Sequence, residues 1–250
     1  MKNNLILFIS IAILGGAIYY HFTKAPSYKA EKTIFTFFGA PGSGKGTLAE
    51  KCAHELNFNV LSTGNLCRKH IADKTELGEK IQKYTNSGKL VPDNIITVMV
   101  KGWLKENTKN NKAIILDGYP RTKKQAELLL DMLKEDFPEY SFRIIALDIS
   151  DDEVVKRISN RLVCDNKKCQ AVYNTSQIKN IDDPLCELCD SKLIKRDDDK
   201  EEVVRERLKV YEQESNNLLN FYKSSHKKIE NINVESKTIS QIFEEFKGML

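Results

Sequence analysis

The sequence predicts an α/β protein, a parallel sheet with helices on both faces, and three observations carry that expectation. Short apolar runs rich in β-branched and aromatic residues recur at 34–38, 113–116 and 143–149, with a weaker one at 229–234. Each is followed by a stretch that reads as helix, at 47–56, 125–133, 151–162 and 239–246, and this alternation is how parallel strands are joined. The first run also enters its helix through a glycine-rich loop, and in that helix Leu48, Cys52 and Leu56 share one face. Two segments interrupt the alternation: 62–91, which is polar and reads as mostly helical, and 160–199, which carries four of the six cysteines.

The composition agrees with one folded unit of this kind. A chain of 250 residues, 41% hydrophobic and 30% charged, can bury roughly 75% of its unfolded surface, which rules out disorder and collagen-like repeats. The net charge of +4 comes from 39 basic against 35 acidic side chains with no basic block, so a nucleic-acid partner is not expected.

Before the first strand, residues 3–23 carry no Lys, Arg, Asp or Glu, and 5–20 are almost wholly apolar, close to the ~20 residues that a spanning helix needs. A cleavable signal would place small residues after such a run, but Tyr19, Tyr20, His21 and Phe22 stand there, which favours a retained anchor over a signal peptide. Lys24, Lys29 and Lys32 follow the run while only Lys2 precedes it, so the rest of the chain is expected on the cytoplasmic side, with Tyr19 and Tyr20 at the interface. A buried helix of the globular part is the third reading. The expected location is cytoplasmic, or facing the cytoplasm from a membrane.

The loop Gly39-Ala-Pro-Gly42-Ser43-Gly44-Lys45-Gly46-Thr47 has phosphate-loop spacing, with Gly46 where the general pattern has Ser or Thr and Thr47 one place later. Glycines let successive N–H groups turn inward around phosphate oxygens, the following helix offers its positive end, and Lys45 adds a mobile cation. Nucleotide binding follows from that chemistry.

This form of the loop is similar to that of the adenylate kinases and their nucleoside monophosphate kinase relatives. Further segments fit the resemblance in order and near the family's spacing: Leu61-Ser-Thr63-Gly-Asn65-Leu-Cys-Arg68, Ser87-Gly-Lys89-Leu90-Val91-Pro92, Asp117-Gly118-Tyr119-Pro120-Arg121 with Gln125, Arg157 with Arg161, and Arg196-Asp-Asp-Asp199 with Arg207. Together they span residues 33–250. The resemblance implies a phosphate-loop NTPase-type core at 33–61, 92–159 and 200–250, a monophosphate-binding insert at 62–91, a lid at 160–199 and an N-terminal segment at 1–32. It also implies transfer of a phosphoryl group from ATP to AMP, giving 2 ADP, in a monomer.

By that resemblance, Gly42, Ser43, Gly44, Lys45, Gly46 and Thr47 hold ATP together with Arg161, Val172 and Tyr173. The AMP set is Thr63, Arg68, Lys89, Leu90, Val91, Gly118, Tyr119, Pro120, Arg121, Gln125, Arg196 and Arg207. Lys45, Arg121, Arg161, Arg196 and Arg207 are the expected catalytic cations, since phosphoryl transfer asks chiefly for positioning and positive charge around the moving group. Any one arginine taken alone reads as a solvated surface pair. Val172 and Tyr173 read nearly as well as lid packing. Asp117 ends a strand beside the loop, where a carboxylate can order magnesium or its waters; a turn or helix-cap aspartate is the alternative. Pro120 can form a tight, cis turn that presents Arg121.

Thr63 and Gln125 offer a hydroxyl and an amide to an adenine edge, which favours AMP over UMP or CMP because the wrong base leaves them unsatisfied. Two departures from the family pattern stand out. Asn65 replaces the usual Asp, which bears on magnesium dependence, and Asn233-Val234 replaces an Asp-Gly pair near the ATP adenine. These departures, with the N-terminal segment, keep open a tethered nucleotide sensor without turnover.

Cys164-x4-Cys169-x16-Cys186-x2-Cys189 fits two knuckles of a tetrahedral zinc site, although zinc-bearing relatives usually begin with C-x2-C. A segment of about 40 residues is too small to bury a stable core alone, so a structural metal could supply its folding energy. Two disulfides are the competing reading, disfavoured if the lid faces a reducing compartment. Cys52 and Cys67 read as buried small hydrophobes.

Overall fold

The computed structural model describes residues 30–166, 169–178 and 180–250. The anchor expected at 3–23 lies outside the described residues, and among the described residues no helix is long and apolar enough to cross a membrane.

The chain runs β1 (Thr33–Phe38), α1 (Lys45–Leu56), β2 (Asn59–Ser62), α2 (Thr63–Ala72), α3 (Glu76–Asn86), α4 (Asp93–Asn107), β3 (Ile114–Asp117), α5 (Lys123–Asp136) and β4 (Ser141–Asp148). It continues through α6 (Asp151–Ser159), β5 (Arg161–Cys164), β6 (Val172–Asn174), β7 (Leu193–Ile194), α7 (Glu201–Ser224), β8 (Ile229–Asn233) and α8 (Ile239–Gly248). Five strands form a sheet in the order β2-β3-β1-β4-β8. Every pair in it is parallel, as the alternation predicted. Strands β6-β5-β7 form a separate antiparallel sheet.

Side chains alternate across a strand, and the two faces of β1 show it. Phe35 and Phe37 join Leu48 and Cys52 of α1 and Phe243 and Phe246 of α8, while Ile34 joins Ile96, Val100 and Leu104 of α4 and Leu129 and Met132 of α5. Phe246 meets both Phe35 and Phe37 edge-on, with ring centroids 5.4 Å apart in each pair. Five of the helices start where short polar side chains cap them: Ser62, Thr75, Thr122, Ser150 and Thr238 each accept from a backbone N–H inside the following helix.

Four elements depart from the sequence reading. The helix expected over 151–162 stops at Ser159, because Leu162 and Val163 pair instead with Tyr173 and Val172 in the small sheet. Strand β2 and helices α4 and α7 were not assigned. β2 is only four residues long, with Leu61 its single fully buried residue. The anticipated burial of Cys52 and Cys67 is observed.

Candidate functional site

The glycine-rich loop lies at the carboxyl end of β1, where open parallel sheets collect ligands. Gly44 stands immediately before α1 with φ of 95°, a left-handed geometry that a side chain resists, and it leaves the start of α1 without a side-chain cap. The helix N-terminus therefore presents free N–H groups to the cleft. Lys45 folds back over the loop, its Nζ donating to the carbonyls of Gly39 (2.7 Å) and Ala40 (2.8 Å) and to Ser43 Oγ (3.1 Å). Burial, reinforced by Arg121, Arg207 and Arg161 and opposed by Asp117, lowers its ammonium to about 7.

Lys45 opens onto a cleft of about 980 Å³, lined in addition by Gly42, Gly44, Gly46, Thr47, Arg68, Leu90, Asp117, Gly118, Pro120, Arg121, Arg157, Arg161, Val172, Tyr173, Arg196 and Arg207. These residues come from the loops and helices around the large sheet, from the 62–91 segment and from the segment of the small sheet. Six arginines on one cavity repel one another, and the fold answers with Asp198 and Asp199 from the turn before α7. Arg161 pairs with Asp199 through Nε–H (2.8 Å) and Nη2–H; Arg207 Nη1 donates to the carbonyl (3.0 Å) and Oδ2 (3.1 Å) of Asp198; Arg68 Nη1 lies 3.7 Å from the same oxygen. Burial works against the Asp198 charge, but Arg207, Arg68 and Arg196 outweigh it and hold this carboxyl below the usual range. Burial together with Arg68 and Arg161 lowers Arg196 to about 9. A cavity that depresses its own cations is prepared for an anion that relieves them.

Arg157 donates from Nε to Glu153 Oε1 (3.0 Å) and from Nη2 to the carbonyl of Val234 (2.8 Å), so the unusual Asn233-Val234 pair contributes a backbone acceptor at the cleft edge. Asp117 ends β3 with Oδ2 accepting from Ser62 Oγ (2.9 Å), and a Cβ added at Gly46 would stand 3.4 Å from that oxygen. Its carboxylate thus faces the first turn of α1, a donor set suited to a hydrated magnesium ion. Glu50, one turn beyond Gly46, lines the same cleft and went unnoticed in the sequence. The i, i+4 spacing from Gly46 is the signal that would have found it. Desolvation, then the Asp117 charge, raise its carboxyl to about 7. Asn65 also lines the cleft and accepts from Arg68 Nη2.

The candidate base-reading residues are more deeply held than their neighbours. Thr63 is 3% exposed and its hydroxyl donates to the carbonyl of Gly118 (2.9 Å), whose φ of 79° turns the chain under it. Gln125, 2% exposed, accepts from the Arg121 N–H (2.8 Å) and donates to Asp93 Oδ1 (2.8 Å). The Tyr119–Pro120 bond is cis. Tyr119 itself is a core residue with its hydroxyl 2.9 Å from Thr97 Oγ1, so its side chain cannot touch a nucleotide and only its backbone remains for that task. Val91 is buried in the cluster beneath the cleft, Lys89 is exposed outside it, and Ser43 is buried beneath the loop.

In the small sheet the sulfurs of Cys164, Cys169, Cys186 and Cys189 all lie within 4.8 Å of one another, and none forms a disulfide. Cys164 and Cys189 are 3.4 Å apart and Cys169 and Cys186 3.7 Å, close to the edge of a tetrahedron with ~2.3 Å metal–sulfur bonds. Hydrogen bonds from Ser191, side chain and backbone, lower the Cys189 thiol to about 6, toward the thiolate that a metal takes, while burial raises those of Cys164 and Cys169. The donor set therefore fits zinc. Tyr173 bridges the two features, lining the cleft while its hydroxyl lies 3.4 Å from Cys186 Sγ and accepts from the Glu187 N–H.

The adenylate kinase family model matches residues 37–227. An adenylate kinase of Petrotoga mobilis is 44% identical over 191 residues, which cover 76% of this chain and 86% of the relative. One from Mycoplasma mycoides is 42% identical over 212 residues, 85% of this chain and 96% of the relative, and one from a Hydrogenobaculum species is 38% identical over 217 residues, 87% and 100%.

Proposed function

This chain belongs to the adenylate kinase family and interconverts ATP + AMP and 2 ADP, and we propose that Lys45 and the arginines of the cleft carry the transfer. The supporting observation is their convergence from three parts of the chain onto one cavity with Asp198 and Asp199 as internal counter-ions. In this reading the loop N–H groups from Gly42 to Thr47 and the Lys45 ammonium receive the ATP phosphates, while Arg68 and Arg121 hold the AMP phosphate. Arg161, Arg196 and Arg207 stabilise charge on the equatorial oxygens as an AMP oxygen attacks the γ-phosphorus and the bond to the bridging oxygen breaks. Arg157, Val172 and Tyr173 border the ATP side; Leu90, the Gly118 turn and Pro120 border the AMP side. Magnesium bound with ATP neutralises phosphate charge, and Asp117 with the Thr47 hydroxyl would hold its waters.

The division into a core, a monophosphate insert at 62–91 and a lid at 160–199 belongs to the same proposal, with closure of the two inserts expelling water from the transfer. So does a structural zinc ion on the four cysteines. For residues 3–23 the proposal is a retained anchor with the kinase on the cytoplasmic side, supported by the lysine asymmetry. Membrane flotation of the full chain with an intact Met1 tests it. The enzyme is proposed to act as a monomer.

The test of the functional assignment is formation of ADP from ATP, AMP and Mg²⁺ by the full chain, beside UMP and CMP as acceptors. AMP is expected to be preferred by two orders of magnitude or more, as paired polar contacts to a base allow. Equal use of UMP or CMP would move the assignment to the pyrimidine branch, and tight binding without turnover would make the chain a sensor.

A further inference from the structure

The two ends of a glutamine side chain have nearly the same shape, so Gln125 can read a base only if something decides which end faces which way. Two partners decide it here. The Arg121 N–H can only donate and receives Oε1 at 2.8 Å; the Asp93 carboxylate can only accept and receives Nε2 at 2.8 Å. Turning the amide over would set oxygen against oxygen and N–H against N–H, losing both bonds.

Asp93 is tied into this arrangement a second time. Thr122 Oγ1 accepts from the Gln125 N–H (3.1 Å) as the cap of α5, and its hydroxyl donates to the same Asp93 Oδ1 (3.3 Å). Tyr119 donates to the Gln125 carbonyl (3.2 Å) and its hydroxyl lies 2.9 Å from Thr97 of α4. Asp93 opens α4, so one helix fixes both the backbone and the side chain of Gln125.

Once these bonds are counted, the amide keeps one Nε2–H and one Oε1 lone pair. An adenine edge offers an amino donor beside a ring acceptor, and a keto-purine such as hypoxanthine offers an acceptor beside a ring N–H. The two patterns are reversals of each other, so amide polarity selects between them.

We propose that Asp93 is a specificity-positioning residue, whose carboxylate fixes the polarity of the Gln125 amide and so makes the monophosphate site accept an amino-purine and refuse a keto-purine. The inference rests on the reading that Gln125 faces the AMP base. The experiment measures kcat/KM for AMP and for inosine monophosphate in the full chain and in D93A, D93S, D93N and Q125L. Their ratio does not depend on how much of each preparation is folded, and D93S withdraws the carboxylate with a residue that still suits a helix start.

D93A and D93S are expected to lower the AMP-to-IMP ratio about tenfold, the worth of one lost buried hydrogen bond. D93N keeps an oxygen for Nε2 and is expected to stay within about twofold of the parent. If D93A and D93S leave the ratio unchanged while Q125L collapses it, or if D93N falls as far as D93A, Asp93 does not set the amide and the proposal is overturned. If Q125L itself leaves the ratio unchanged, the base reading beneath the proposal is what has failed.

Discussion

In the five-stranded sheet, β1 is buried along its whole length and meets helices on both faces, with Phe35, Phe37, Leu48 and Phe246 fully enclosed. In the segment around the three-stranded sheet the buried cluster is Leu162, Cys164, Cys186 and Leu193, two of them cysteines, with Val163 also buried, while Ile181, Leu185, Leu188 and Ile194 are left exposed. The difference teaches where each part gets its stability. The large sheet removes enough apolar surface from water to offset the entropy of ordering its chain; the small one encloses far less, and under the proposed zinc assignment a metal on its four sulfurs would supply the difference. The cleft crosses the boundary, because Arg161 and Arg196 reach it from the segment of the small sheet and Lys45 from the large one.

The largest expected effect probes that crossing. Arg161→Ala, at the junction of α6 and β5, should lower kcat by on the order of 10³ in a coupled ADP assay, the scale of a phosphoryl-transfer arginine, without abolishing ATP binding to the core. A drop of less than tenfold would leave the lid arginines outside the chemistry.

A cavity in each sheet separates their stabilities. Leu116 is fully buried in the large sheet, and Leu116→Ala should destabilise the whole chain by about 3 kcal/mol in a urea titration. Leu193→Ala in the small sheet should loosen that sheet by a similar amount yet leave the main unfolding midpoint near its parent value. Equal shifts in that midpoint would mean one cooperative unit.

The loop lysine gives a pH signature to the core alone. With Lys45 lowered to about 7, its ammonium is increasingly neutral above that pH, and the ATP phosphates, which favour the cation, pull its pKa back up. ATP binding at pH 8 should therefore take up a proton, and at pH 6 much less, as calorimetry in buffers of different ionisation enthalpy reads directly. Affinity should weaken by up to about tenfold per pH unit above 7. Glu50, raised to about 7 by desolvation and Asp117, would add uptake in the same direction, so the Glu50→Gln variant isolates the Lys45 share.

The smallest effect is at the start of the last helix, where Thr238 borders the cleft. Thr238 and Gln241 form a reciprocal cap on α8, and Thr238→Ala should cost the core about 1 kcal/mol, read as a small shift of the urea midpoint.

What could be read in the sequence divides along similar lines. The phosphate loop was legible because its glycine spacing is itself a backbone instruction, and the parallel sheet because its strands alternate with helical stretches. Helix α7 went unassigned although Val204, Leu218 and Tyr222 mark its buried stripe across a long polar surface. Asp198 and Asp199 were visible as a motif, but their work as counter-ions to Arg161, Arg207 and Arg68 depends on a contact across 38 residues for the first of these pairs, which no local pattern encodes. Tyr119 was misjudged for the converse reason: its place in the motif suggested a ligand contact, while packing against α4 turned its ring into the core.

The contrast between the two sheets is tested most directly by hydrogen exchange, resolved by peptide, on the full chain before and after zinc is removed with a chelator. Stoichiometric zinc is expected at the outset and, once it is gone, rapid exchange through residues 161–164, 172–174 and 193–194 with protection retained in 33–38, 114–117 and 141–148. Protection of the small sheet that survives metal removal, or loss of protection in both sheets together, would contradict that contrast.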